Sequence, residues 1–421
     1  MYFWYKIFTY FFYPIAPLYL YFRKLKKKED PIRYKEKLSK IETYRGEGFL
    51  IWFHVASVGE AMSILPLVDK CLEEEKINKI LVTSITLSSG KILEKKFKNN
   101  TKVVHQYLPL DIEILVDKFL NHWKPNLSIF IDSEVWPNLI LKTNERKIPL
   151  LLINARITKK SYKRWKLVLN FAKKIFSKFS ICIVSNEESK NFLNDLGAKN
   201  IINCGNLKFS NRKTELAEKF DNVFLNKIKN RNLWCAASTH ADEEIICANS
   251  HKKIKENYNN ILTIIIPRHI DRVKKIYEHL SKMNLKILLS NQISELNDKT
   301  DIILVNSYGE ASKFYNISKC VFVGKSLVKS LINDSGQNPI EPSRLGCKIL
   351  HGPFTSNFFE IYNYLKTLGV ATIVNNSYDL SLAVTKVLKE NKEKNYEIGK
   401  KIENYGQTVL NNVLVELRKY I

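Results

Sequence analysis

Gly48-Phe49-Leu50-Ile51-Trp52-Phe53-His54-Val55-Ala56-Ser57-Val58-Gly59-Glu60-Ala61 is the stretch that decides the fold. From Phe49 to Val55 the apolar residues run on without polar alternation, the pattern of a strand covered on both faces, as in a parallel sheet. The run ends in small residues and gives way to a helix, so backbone N–H groups and a helix N-terminus meet at one edge of the sheet. Beyond it Met62, Leu65, Val68 and Leu72 recur at helical spacing, the stripe of a crossover helix.

Working outward, the same alternation predicts strands at 80–84, 103–107, 127–131, 150–153 and 181–185. It starts again at 233–237 and continues through 261–266, 302–305, 320–323, 348–351 and 371–374. The polar stretch 209–220 lacks an apolar stripe and is the expected hinge, and 389–421 reads as helix. The expectation is an α/β chain of two Rossmann-like domains facing across a cleft, with strand carboxyl ends turned toward it. Its parts are an amino-terminal anchor with a basic flank (1–28), one domain at 29–210 and a second at 211–421. A length of 421 residues accommodates two such cores.

Residues Met1 to Phe22 are nearly all apolar or aromatic, broken by Lys6, and Arg23-Lys24-Leu25-Lys26-Lys27-Lys28 follows at once. This is the pattern of a membrane anchor with its basic flank on the cytoplasmic side. Pro14 and Pro17 and the tyrosines leave spanning the bilayer and lying in its interface equally open. A cleaved signal peptide does not fit, because the charge follows the apolar run. Lys plus Arg total 67 against 42 Asp plus Glu, a net +25 that favours a polyanionic partner or simply reflects solvated lysines. No nucleic-acid-binding motif accompanies the charge, so no specific nucleic acid is expected. The seven cysteines are scattered singly, without the spacing of a disulfide framework or a zinc cage.

The chemistry-bearing segments sit at predicted strand ends. Glu60 opens a helix, where an acid serves the helix dipole or the reaction. Asp132-Ser133-Glu134-Val135-Trp136-Pro137-Asn138 places two carboxylates before a second helix, with Pro137 suited to its first position. Asn154-Ala155-Arg156 and Gly205-Asn206-Leu207-Lys208-Phe209 follow, and Lys208 could reach a phosphate. In the second half Ser238-Thr239-His240 and Pro267-Arg268-His269 end strands, the latter delivering an arginine shaped for phosphate or for a salt bridge. Ser307-Tyr308-Gly309-Glu310-Ala311 and Gly336-Gln337-Asn338-Pro339-Ile340-Glu341-Pro342 each open a helix, with Glu341 placed to accept from ribose hydroxyls. His54 and His351 read as strand-end packing or hydrogen-bonding groups. No metal-ligand spacing, P-loop or dinucleotide fingerprint occurs.

Together these segments, with Gly352-Pro353 and Asn357-Phe358, resemble the bacterial transferases of 3-deoxy-D-manno-octulosonic acid (Kdo) over nearly the whole chain. The resemblance implies the glycosyltransferase-B fold, CMP-Kdo as donor, a phosphorylated lipid A precursor (lipid IVA) as acceptor, and residence at the cytoplasmic face of the bacterial inner membrane. It implies Glu60 as general base, with Glu134 and Lys208 assisting the transition state. Pro267, Arg268, Gly309, Glu310, Ala311, Asn338, Pro339, Ile340 and Glu341 would bind CMP, and neither metal nor cofactor is expected. Three positions depart from the family pattern: Asp132 replaces a more usual glutamate, Lys325 stands where a second glycine is typical, and Gln337 replaces a histidine. Another glycosyltransferase-B enzyme, a sugar-nucleotide 2-epimerase, or an inactive homologue retained for binding are the alternatives.

Overall fold

The computed structural model describes residues 1–211, 220–390, 394 and 396–421. The chain divides into two compact units, Met1–Arg212 with Tyr405–Ile421, and Lys213–Asn404. Most of the expected hinge, 212–219, lies outside the described residues.

The strands of the first unit are β1 (Phe49–Val55), β2 (Ile77–Ser84), β3 (Val103–Tyr107), β4 (Leu127–Ile131), β5 (Leu150–Ala155), β6 (Ile181–Val184) and β7 (Ile201–Asn203). They form one seven-stranded sheet in the order β3-β2-β1-β4-β5-β6-β7, all neighbours parallel. β1 is an interior strand, and its side chains alternate between two cores. Ile51, Phe53 and Val55 pack on one face with Ile64, Leu67 and Val68, while Leu50 and Trp52 pack on the other with Phe119, Trp123 and Phe130. Burial on both faces is why these strands carry continuous apolar runs.

The second unit repeats the design with β8 (Asn232–Thr239), β9 (Ile261–Pro267), β10 (Ile287–Leu289), β11 (Ile302–Leu304), β12 (Cys320–Val323), β13 (Lys348–His351) and β14 (Ala371–Ile373). Their order is β10-β11-β9-β8-β12-β13-β14, again parallel throughout. The order turns back between β8 and β9 on one side and β12 on the other, the switch point at which open α/β sheets bind ligands beyond their carboxyl ends.

The carboxyl-terminal region holds two helices, Ser377–Lys389 and Tyr396–Arg418. The sequence groups both with the second half, but Val409, Leu410, Val413, Leu414 and Leu417 are buried in the first unit's core.

The amino-terminal stretch departs from one expected form. It makes two short helices, Tyr2–Phe12 and Ala16–Leu25, and among the described residues no helix is long and apolar enough to cross a membrane. Pro17 lies in the first turn of the second helix, where its missing N–H costs nothing, so the run folds as two pieces. One side is fastened to the first unit: Ala16 packs with Ile112 and Leu115, and Lys6 pairs with Glu113 at 2.7 Å. The opposite side leaves Phe3, Trp4, Phe8 and Phe11 exposed.

Candidate functional site

In the first unit the ends of β1, β4 and β5 and the short helix Leu207–Ser210 converge on three carboxylates. At the end of β1, Ser57 caps the helix Val58–Leu72 by accepting from the Glu60 N–H at 3.3 Å. Glu60 reaches back, its carboxylate accepting from the Ala56 N–H at 2.7 Å and the Ser57 hydroxyl at 2.9 Å. This reciprocal cap fixes the side-chain rotamer.

Asp132 and Asn154, at the ends of β4 and β5, both take left-handed backbone, φ 55° each. That conformation is costly outside glycine, though asparagine and aspartate tolerate it best. Its effect is to bring the two side chains together, with the Asn154 amide donating to the Asp132 carboxylate. The Asn154 carbonyl oxygen accepts from the Leu207 N–H at 2.8 Å, which fixes the turn carrying Lys208. Lys208 then donates to the other Asp132 oxygen at 2.9 Å. Glu134 accepts from the Trp136 indole N–H at 2.8 Å and lies 3.4 Å from His54 Nε2.

Burial pushes the Glu60 carboxyl up to about 7, and the charges of Asp132 and then Glu134 add to the rise, while the Ala56 and Ser57 donors oppose it. Glu60 is enclosed by protein atoms yet retains partial access to water. A carboxylate near neutrality, next to a lysine and a second acid, can accept a proton while cationic charge is held close by. Glu60, Glu134 and Lys208 are thus brought into one cluster, with Asp132 as the link.

Asp111 gave no signal in the sequence, where it stands alone between Leu110 and Ile112. It is buried, and it caps the helix Pro137–Glu145 by accepting from the Asn138 and Leu139 N–H groups at 3.0 and 2.8 Å. The Tyr5 hydroxyl from the first amino-terminal helix donates to it at 2.7 Å. Burial pushes its carboxyl up to about 6.

In the second unit the expected CMP residues lie at the end of β9 (Pro267, Arg268), at the start of the helix Ala311–Ile317 (Gly309, Glu310, Ala311) and at the start of the helix Ile340–Arg344 (Asn338, Pro339, Ile340, Glu341). Arg268 follows β9, is exposed, and donates its backbone N–H to the Thr239 carbonyl at 3.0 Å, beside His240 and His269. Burial lowers the His240 imidazole to about 4, and nearby Lys325, His269 and Arg272 add to the drop. Glu310 accepts from the Ser307 hydroxyl and, at 3.2 Å, from that of Ser290. Ser312 donates to Glu341, so the 309–311 and 338–341 segments are tied together. Asn338 accepts from the Ile340 N–H at 3.0 Å and opens the turn into Ile340–Arg344.

The segment after β12 is held from inside by Glu243, whose buried carboxylate accepts from the backbone N–H groups of His240, Lys325, Ser326 and Leu327. Lys325 adopts φ 57°, which a glycine would take without cost. Among the described residues no cluster of histidine, cysteine and acidic side chains could hold a metal ion.

Two parallel α/β units of this kind define the class of proteins with glycosyltransferase-B-like folds. A Listeria monocytogenes protein assigned as a UDP-N-acetylglucosamine 2-epimerase has this fold, with a TM-score of 0.62 at 14% identity, over 89% of this chain and 97% of that one. The UDP-N-acetylglucosamine 2-epimerase of Neisseria meningitidis aligns with a TM-score of 0.52 at 14% identity, over 87% of this chain and 100% of that one. At such identities the likeness is one of fold alone.

Sequence places the chain within that class. Residues 32–211 match the family model of 3-deoxy-D-manno-octulosonic-acid transferase. The 3-deoxy-D-manno-octulosonic acid transferase of Rickettsia felis is 35% identical over 88% of this chain and 79% of its own length. That of Haemophilus influenzae is 31% identical over 96% of both. The chain belongs to the Kdo transferase family and is a glycosyltransferase, as the resemblance in its motifs implied.

Proposed function

We propose that this transferase takes Kdo from CMP-Kdo and adds it, with inversion and with Glu60 as general base, to a hydroxyl of a phosphorylated glucosamine lipid, the lipid A precursor. The observation that carries this reading is the cluster at the strand ends, where Glu60, fixed by the Ala56 N–H and the Ser57 hydroxyl, lies beside Asp132, which is paired with Lys208, and Glu134, and where burial pushes the Glu60 carboxyl up. A sugar hydroxyl is a poor nucleophile, and a base titrating near the working pH removes its proton as the new bond forms, typically worth about 10²- to 10⁴-fold. Lys208, held by Asp132, supplies positive charge where negative charge develops, and Glu134 supports the oxocarbenium character of the sugar. In the second unit Arg268, the Gly309–Ala311 turn and the Asn338–Glu341 turn receive the cytidylate: Arg268 faces phosphate, backbone N–H groups at the turns add donors, and Glu341 accepts from ribose.

The amino-terminal helices would lie in the membrane interface with Phe3, Trp4, Phe8 and Phe11 inserted, and the basic flank 23–28 would face anionic headgroups on the cytoplasmic side of the inner membrane. The helix Lys159–Lys166, which buries none of its residues, adds a second basic surface for a phosphorylated acceptor. The test is CMP release by the purified full chain. Release that requires both CMP-Kdo and the acceptor lipid supports the proposal; release without acceptor, or epimerisation of a UDP-sugar, assigns a different reaction, and no turnover of either leaves a binding homologue.

A further inference from the structure

His54 is the last but one residue of β1 and is fully buried. The sheet register sets Thr83 of β2 on one side of it and Phe130 of β4 on the other. Phe130 meets the ring edge to face, with centroids 5.3 Å apart, and the Thr83 hydroxyl lies 3.0 Å from Nδ1. Thr83 is itself fixed, because its oxygen accepts from the Trp52 indole N–H at 2.8 Å. The ring is therefore held at one nitrogen and one edge. The other nitrogen, Nε2, is buried, has no hydrogen-bond partner, and lies 3.4 Å from Glu134 Oε2.

Proton counting decides what that nitrogen presents. A lone pair on Nε2 would face the lone pairs of a carboxylate oxygen and be repelled. A hydrogen on Nε2 is attracted, and it fits the other side of the ring when the single Thr83 proton turns to Nδ1 at 3.0 Å in place of the Phe53 carbonyl, which accepts it at 3.3 Å. The chain from Trp52 through Thr83 and His54 then ends in one N–H within 3.4 Å of one oxygen of Glu134. A separation of 3.4 Å is longer than a formed hydrogen bond, as catalytic hydrogen bonds often are before substrate arrives.

We propose that His54 is a positioning residue: its Nε2–H holds the Glu134 carboxylate in the orientation the transfer reaction uses, while Thr83 and Trp52 set the tautomer and angle of the ring. The proposal rests on the reading that Glu134 acts in the reaction. With Nε2–H on one side and the Trp136 indole on the other, Oε2 is held from two directions and Oε1 is left for the substrate.

The test is a double-mutant cycle on the full chain, with kcat and both KM values measured for His54→Leu, Glu134→Gln and the pair. Loss of one hydrogen bond to a charged group predicts that His54→Leu lowers kcat about 10- to 100-fold with KM nearly unchanged. The pair should be no slower than Glu134→Gln alone. His54→Gln, whose side-chain amide can place an N–H near the Nε2 position, should recover most of the rate. Thr83→Val, which frees the ring, should lower kcat in the same direction, and it replaces His54→Leu in the cycle if that variant does not fold. Additive effects of the two substitutions, or no recovery by glutamine, overturn the positioning role while leaving Glu134 in place. A Glu134→Gln enzyme with wild-type kcat removes the role of Glu134, and the positioning role with it.

Discussion

The proposal that Glu60, with its carboxyl raised to about 7, is the general base makes a demand on the rate that an ordinary glutamate does not. At its usual value of 4.5, Glu60 would be almost wholly ionised at pH 6 and nothing would be gained by going higher. With the folded value near 7, about one-tenth of the enzyme carries the ionised base at pH 6 and about nine-tenths at pH 8, so kcat/KM should rise about tenfold over that interval and then level. The direction follows because the active form is the deprotonated one. The neighbours allow a sharper check. Asp132→Asn removes a repelling charge and should move the inflection to lower pH; Lys208→Met removes the cation that pairs with Asp132, leaves the repulsion stronger, and should move it to higher pH. The assay is initial-rate CMP release at constant ionic strength across pH 5.5 to 8.5. A flat profile above pH 6, or shifts of the same sign in both variants, would refute the electrostatic reasoning. Linkage supplies an independent readout. Because folding raises the Glu60 value, its contribution to stability falls as pH rises from 4.5 through 7, so Glu60→Gln should lose less stability than wild type over that window in urea titrations.

Other predictions follow from the supports around the two sites. Asp111→Ala leaves two helix N–H donors and the Tyr5 hydroxyl without an acceptor, and should destabilise the first unit by about 2–4 kcal/mol in denaturant melts. Glu243→Ala removes the acceptor of four backbone N–H groups and should loosen the segment after β12, raising KM for the donor at least tenfold with little change in acceptor KM. At Gly352 an added Cβ would lie 2.0 Å from the Ser326 carbonyl oxygen, so Gly352→Ala should cost about 1–3 kcal/mol, read as a lowered Tm. Replacing exposed Trp4 and Phe8 by serine should reduce sedimentation with anionic vesicles about tenfold while leaving Tm unchanged; equal sedimentation would count against interfacial binding.

What the sequence made legible was whatever is buried on both sides. The strands at 49–55, 103–107, 127–131, 320–323 and 348–351 stand where their apolar runs placed them. β7 and β10 were missed because each is a three-residue edge strand whose short apolar run, Ile201-Ile202 or Ile287-Leu288-Leu289, is not distinguishable from one turn of a helical stripe. The stripe of Val409, Val413 and Leu417 announces a helix with one buried face, but periodicity cannot say which core receives it, and the answer is the first unit. The amino-terminal run has enough apolar residues to cross a bilayer, yet hydropathy does not register that Tyr5, Lys6 and Thr9 face the protein.

The candidate site divides the same way. Glu60, Glu134 and Lys208 stood out because they follow strand ends, and the structure gathers them. The interactions that set their properties are long-range: Asp132 with Lys208, Asn154 with Leu207, and His54 with Thr83 across adjacent strands. Asp111 has only distant partners, which a local motif cannot display. The departure at Lys325 reflects a left-handed backbone position that glycine would occupy more cheaply, and lysine is held there by the Glu243 carboxylate.

The most direct measurement is mass spectrometry of the lipid after the purified chain is incubated with CMP-Kdo and tetraacylated lipid A precursor, beside Glu60→Gln. The expected result is one or more Kdo additions by the wild type and a rate lower by about 10²- to 10⁴-fold in the variant. Unmodified lipid, or a Glu60→Gln protein that glycosylates at the wild-type rate, would contradict it.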